Sequence, residues 1–264
     1  MKKRWLLFIL LIAMVQVNAQ WKPLRFAFIS DTHIGSPNGS AEEDLRRTVA
    51  DINSMNDIAF VVLTGDITEL GTDAEIKLAK EILAELKVPY YIIAGNHDTG
   101  WSESGGVSFG KIFGYDKFSF NFNGIQFIGC ASGPYVRMSD GHIPRDAVNW
   151  LDLELKKLQT NQPVVFLNHY PLDKDLDNWY EAVYRLKNHR TLAVLNRHWH
   201  NNRRMQYEDL PAVVGRSNLR AKAAYGGYNL VDVRLDSMIF AERTPGIETK
   251  KAWTGIDLTK KDFS

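Results

Sequence analysis

Residues 24–33 read Leu-Arg-Phe-Ala-Phe-Ile-Ser-Asp-Thr-His, a short apolar run that ends on an acid and an imidazole. The same order recurs along the chain. Ala59–Leu63 (AFVVL) leads to Gly65-Asp66, Tyr90–Ile93 (YYII) to Gly95-Asn96-His97-Asp98, and Val164–Leu167 (VVFL) to Asn168-His169. Runs this short and this continuously apolar are what strands need when both faces of their sheet are covered. Between them, Glu42–Ser54 and Asp73–Leu86 have helical spacing, the second carrying Ile76, Leu78, Ile82, Leu83 and Leu86 ahead of Pro89. Strands alternating with helices predict a layered α/β fold.

Outward from this core, Phe118–Phe122 and Ile125–Cys130 flank Asn123-Gly124, a strong hairpin signal because both turn positions favour positive φ. Asp146–Leu158 and Asp177–His189 are expected to be helical. Leu192–Leu195, Ala212–Val214, Tyr228–Leu235 and Ser237–Glu242 are expected to be further strands. No repeat or linker interrupts the pattern, so one domain spanning 20–264 is the economical reading, with 243–264 a candidate C-terminal extension.

The first residues differ in kind. Lys2-Lys3-Arg4, the apolar stretch Trp5–Val15 and Val17-Asn18-Ala19 have the layout of a cleavable signal peptide over residues 1–19. The apolar stretch is too short for the roughly 20 residues of a spanning helix. A secreted or periplasmic protein with no stable membrane anchor after cleavage is the expectation. The one cysteine, Cys130, excludes an intrachain disulfide. Over 264 residues the formal charge is +1; losing Lys2, Lys3 and Arg4 lowers Lys+Arg from 32 to 29 against 31 acids, near −2. No basic field suggests nucleic acid as a partner.

The polar clusters follow the ends of predicted strands, and in open α/β sheets such loops converge on one edge. A fifth cluster, His198-Trp199-His200, follows Leu192–Leu195. Taken singly, each has an ordinary explanation as a turn, a cap or a solvent-facing pair. Together, Asp31, His33, Asp66, Asn96, His169, His198 and His200 form a set of carboxylates, imidazoles and one amide, which suits divalent or trivalent transition metals. Seven donors exceed what one tetrahedral ion takes and suit two ions sharing a carboxylate. If residues 198–200 are extended, both rings point one way and Trp199 faces the core.

The ordered set Asp-x-His, Gly-Asp, Gly-Asn-His-Asp, His and x-His-x-His, from Asp31 to His200, resembles the signature of calcineurin-like metallophosphoesterases. The resemblance implies a four-layer αββα sandwich of two packed mixed β-sheets flanked by helices. It also implies a centre of two iron, manganese or zinc ions and phosphoester hydrolysis by a metal-bridging hydroxide. By the same resemblance, Asp31, His33 and His200 hold the first ion, and Asn96, His169 and His198 the second. Asp66 bridges them, His97 is the catalytic proton donor, and Asp98 orients its ring. Trp150-Leu151 and His169-Tyr170-Pro171-Leu172 are similar to the branch related to cyclic-nucleotide phosphodiesterases.

One position departs from the family. Arg197 stands where it has glycine before the last His-x-His, a site of strain or of substrate contact. Arg203, Arg216 and Arg220 are candidates for binding substrate phosphate, and Trp101 and Trp179 for lining a groove. A phosphomonoester, a phosphodiester and a nucleotide all remain open as the phosphorylated small-molecule substrate. The alternative is a non-catalytic metal-binding scaffold, or a module of a larger secreted protein.

Overall fold

The unbroken apolar character of the runs is explained by what covers each face. In the computed structural model, which describes residues 21–135 and 140–259, the chain begins β1 (Leu24–Ile29), α1 (Ala41–Ser54), β2 (Ile58–Thr64), α2 (Asp73–Leu83), β3 (Tyr90–Ile93), α3 (Asn96–Thr99) and α4 (Val107–Phe113). It continues with β4 (Lys117–Phe122), β5 (Ile125–Cys130), α5 (Arg145–Lys156), β6 (Val164–Leu167), α6 (Trp179–Leu186) and β7 (Thr191–Asn196). The last elements are β8 (Arg203–Tyr207), β9 (Leu210–Val214), β10 (Tyr228–Val233), β11 (Ser237–Thr244), β12 (Glu248–Thr249) and β13 (Thr254–Asp257). The signal segment 1–19 lies outside the described residues.

Two mixed sheets result. The first runs β12-β11-β10-β1-β2-β3, with β13 also on β11; β1, β2 and β3 are parallel, and β10 lies antiparallel to β1. The second runs β4-β5-β6-β7-β9-β8, parallel from β5 through β9 with an antiparallel strand at each edge. Along β1, Phe26 and Phe28 enter the core between the sheets, while Ala27 and Ile29 face α1 and α2. In the second sheet, Val165 and Leu167 face inward while Val164 and Phe166 pack under α5 and α6. Each parallel strand is therefore buried on both faces, which gives the four-layer αββα order. Phe60 anchors the middle layer, stacked on Phe26 at 5.1 Å and edge-on to Phe127 at 4.9 Å. Truncation to alanine there would cost about 3–5 kcal/mol.

Local signals set the joints. The capping box of α2 pairs the Thr72 hydroxyl with the Glu75 N–H at 3.3 Å and the Glu75 carboxylate with the Thr72 N–H at 3.1 Å. Asn123 (φ 51°) and Gly124 (φ 94°) make the predicted hairpin turn. Two features lie outside the sequence reading. The strand β8 was not anticipated, because its sequence RRMQY is an edge strand with only Tyr207 buried. Residues 254–257 also belong to the first sheet, and Ile256 and Leu258 are buried against the middle layer.

Candidate metal centre

The carboxyl ends of β1, β2 and β3 meet those of β6 and β7 at one edge of the sandwich, so the centre draws side chains from both sheets. Main-chain bonds lace the loops together: Asp31 N–H to Gly65 carbonyl at 3.0 Å, His33 N–H to Asp66 carbonyl at 3.1 Å, and Arg197 N–H to His169 carbonyl at 2.8 Å. The approach is close enough to require glycine. A Cβ on Gly95 would lie 2.3 Å from the Asp66 nitrogen, and one on Gly65 (φ +97°) would lie 2.6 Å from the Gly95 nitrogen.

All seven predicted donors are brought to this edge. In one group, Asp31 Oδ1 lies 3.9 Å from His33 Nε2 and 3.6 Å from His200 Nε2. In the other, His169 Nε2 lies 3.3 Å from Asp66 Oδ2 and 3.0 Å from Asn96 Oδ1, which is 3.1 Å from His198 Nδ1. Donors at right angles on an ion ~2.1 Å away stand about 3 Å apart, so these separations suit coordination. The residues fit a metal for a second reason. Both Asp31 oxygens and His33 Nε2 are buried and make no aligned hydrogen bond, a state with a high desolvation cost unless another partner satisfies them.

The backbone is bent to achieve this. Asp31 (φ 51°), His33 (46°), Asp66 (50°), His198 (77°) and His200 (57°) occupy the left-handed region, a majority of the described non-glycine residues that do so. Residues 198–200 are consequently not extended, and Trp199 is not a core residue. Its indole N–H donates to Asp175 at 2.7 Å and its ring carries the Arg203 guanidinium at 4.8 Å.

Charge divides the donors. Burial alone would raise the Asp66 carboxyl, but the facing His169, with His33 and His97, holds it far below the carboxylate range. Burial likewise opposes protonation of His169, yet Asp66 lifts it to about 9. Burial and the neighbouring His169 take His198 down to about 4. A cation at this group would therefore displace a proton from His169 and find His198 already neutral.

His97 sits beside the donors, its ring 4.7 Å from that of His33. Its Nδ1 donates to the Glu69 carbonyl at 2.7 Å. Asp98 does not orient this ring. It points inward and accepts instead from Ile67 N–H (3.1 Å), Thr68 N–H (2.9 Å), Thr68 Oγ1 (2.7 Å) and Gly95 N–H (2.8 Å), binding the β2 and β3 loops to each other. Glu69 was not foreseen. Its Oε2 lies 3.0 Å from His33 Nδ1, the place an outer partner would take to fix the imidazole if it held a metal. The available signal was an acid three residues after Asp66.

A cavity of about 600 Å³ opens over His33, Glu69, His97 and His200, with Arg216, Arg220 and Glu242 on its wall. Arg220 is held by Asp44 at 2.7 Å and Glu43 at 3.1 Å. Arg216 reaches Glu242 at 3.7 Å. Arg203, on β8 over Trp199, is not among the cavity-lining residues. Trp101 is exposed, its ring 6.0 Å from that of His97, whereas Trp179 packs beneath the second sheet.

A sequence model described as calcineurin-like phosphoesterase matches residues 24–202. A probable glycerophosphodiester phosphodiesterase of Arcobacter nitrofigilis is 32% identical over 159 residues, a match covering 54% of this chain and 56% of that protein. A probable cyclic nucleotide phosphodiesterase of Fibrobacter succinogenes is 26% identical over 208 residues, covering 71% and 77%. A dimetal phosphatase from Danio rerio superposes with TM-score 0.66 at 15% identity over 89% of this chain and 99% of that one. A purple acid phosphatase from yellow lupin gives TM-score 0.66 at 12% identity over 91% and 55%. Likeness at these identities speaks to the fold.

Proposed function

The chain belongs to the calcineurin-like phosphoesterase family of metal-dependent hydrolases, and on that premise we propose that it is an exported phosphodiesterase working with two bound transition-metal ions. Asp31, His33 and His200 would hold one ion and Asn96, His169 and His198 the other, with Asp66 shared. Iron, manganese and zinc all suit these donors. Bound there, the pair would supply a nucleophile at neutral pH and neutralise the phosphoryl oxygens.

The observation that carries the reading is the position of His97. Its δ nitrogen is tied to the Glu69 carbonyl, and its ring lines the cavity beside His33 and His200 of the first donor group, while its backbone N–H donates to Asp66 of the second at 2.9 Å. With Nδ1–H committed, Nε2 is the atom that can hand a proton to a departing alkoxide. Arg216, on the cavity wall, would receive a phosphoryl oxygen. The charge on the wall favours a diester. Arg220 is committed to Asp44 and Glu43, and Arg216 shares Glu242, a balance suited to one negative charge rather than the two of a monoester. The Arcobacter and Fibrobacter proteins that it resembles, described as probable phosphodiesterases, point the same way. Export rests on the pattern of residues 1–19, and no helix among the described residues is long and apolar enough to cross a membrane.

The test is a panel of glycerophosphodiesters, cyclic nucleotides, a nitrophenyl diester and a nitrophenyl monoester, assayed on metal-analysed protein. Diesters should be turned over at least tenfold faster than the monoester, and a chelator should abolish the activity. Preference for the monoester would overturn the diester assignment. Full metal content with no turnover of any substrate would instead favour a binding scaffold.

A further inference from the structure

Arg197 immediately precedes His198, and its side chain is fully buried. Its Nε lies 2.6 Å from Asp31 Oδ2, an ion-pair contact rather than an aligned hydrogen bond, and its Nη1 donates to the Gly215 carbonyl at 2.5 Å. The other carboxylate oxygen, Oδ1, faces His33 and His200. Asp31 therefore has a guanidinium at its back and a group of candidate metal donors in front. The second group is arranged otherwise. Asp66 accepts the His97 N–H at 2.9 Å and faces His169, and among the described residues no lysine or arginine is in ion-pair contact with it.

Two expectations for Arg197 are thereby replaced. Its φ is not in the left-handed region, so it is not a strained substitute for glycine. Buried, it is not part of the cavity lining and has no route to substrate. Its visible role is to act on Asp31.

We infer that Arg197 is a resident counter-charge for Asp31 that makes the two ion positions unequal. The position held by Asp31, His33 and His200 binds its ion more weakly and fills second. The inference rests on the two-ion reading and adds the order of filling. A cation arriving in front of Asp31 must share that carboxylate with a guanidinium that cannot withdraw to solvent, because the Gly215 carbonyl and the buried backbone pin it. Like charges on either side of one carboxylate repel with little screening in a buried setting. The same contact has a benefit before metal arrives: a buried carboxylate without a partner is strongly unfavourable, and Arg197 supplies one. Arg197 is thus a positioning residue, acting through Asp31 rather than on substrate.

The experiment is a calorimetric titration of chelator-stripped full-length protein with Mn²⁺, beside thermal unfolding in chelator and in saturating Mn²⁺. The wild type should bind two ions in steps at least tenfold apart. His200→Ala, altered at an exposed ring, should lose the weaker step and keep the tighter. Arg197→Gln, which keeps planar donors without the charge, should tighten the weaker step at least tenfold and lower the unfolding midpoint more in chelator than in Mn²⁺. Arg197→Lys, which keeps the charge, should retain the wild-type spacing. Two ions of equal affinity in the wild type, or loss of the tighter step in His200→Ala, overturns the inference even if no Arg197 variant folds. An unchanged weaker step in Arg197→Gln, with equal midpoint losses in both conditions, reduces the residue to packing and also overturns it. Fewer than two ions at any Mn²⁺ concentration refutes the two-ion reading itself, a result distinct from both.

Discussion

His97 Nδ1 lies 2.7 Å from the main-chain carbonyl oxygen of Glu69, and because a carbonyl only accepts, the δ nitrogen must carry a proton. The proton that matters to a leaving group is then the one on Nε2. His97→Asn should keep both metals and slow alkyl diesters by ~10²–10⁴, the range of general acid catalysis. A nitrophenyl diester, whose leaving group departs unprotonated, should suffer far less. Equal losses on the two substrates, with metal content intact, would assign His97 to phosphoryl charge stabilisation instead.

Asp66 and Asp31 should answer differently to loss of charge. Elemental analysis of the wild type should give about two ions per chain. Asp66→Asn should lose both together with activity, whereas Asp31→Asn should spare the ion near Asn96, His169 and His198. Asp31→Asn also leaves the Arg197 guanidinium buried without its anion, a change expected to cost about 3–5 kcal/mol of metal-free stability. Identical residual metal in the two variants would remove the case for a shared Asp66.

Glu69→Gln removes the carboxylate facing His33 Nδ1 while leaving the main-chain carbonyl that His97 uses. Outer partners of this kind are worth roughly 10–100-fold in metal affinity or activity. The loss should appear as weaker metal binding, be relieved by excess metal, and leave the unfolding midpoint in chelator nearly unchanged. A loss that excess metal does not relieve would place Glu69 in contact with substrate.

Burial pushes the Cys130 thiol up to about 12, and the thiolate is the reactive form. The native protein at pH 8 should be inert to an aromatic disulfide reagent, with one thiol appearing on unfolding in denaturant. Prompt reaction of the folded chain would contradict the packing of β5 beneath α5.

The parallel strands were legible because covering both faces of a sheet leaves no position for a polar residue, and LRFAFI, AFVVL and VVFL contain almost none. The seven donors were legible for a related reason: loops after such strands share one edge, so residues distant in sequence could be grouped by their place after a strand. What stayed hidden depends on contacts that no local pattern records. The β8 strand shows no apolar alternation because it lies on a sheet edge. The short helices α3 and α4 fall in a stretch diluted by Gly95, Gly100, Gly105, Gly106 and Gly110. Asp98 was given to His97 on the family resemblance alone, whereas its side chain turns inward to Thr68. Arg197 was visible as an oddity, but its partner Asp31 lies on the other sheet.

Five residues of the centre hold left-handed backbone conformations, and each such position costs an ordinary side chain on the order of 1–3 kcal/mol. Selection for heat resistance alone would therefore erode this edge of the molecule before its interior. Glycine at His33 or asparagine at His200 relaxes the main chain in the same stroke that deletes a donor. Endurance and reactivity are opposed at the same few addresses, and a lineage that no longer met its substrate should drift there first, growing hardier as it fell silent.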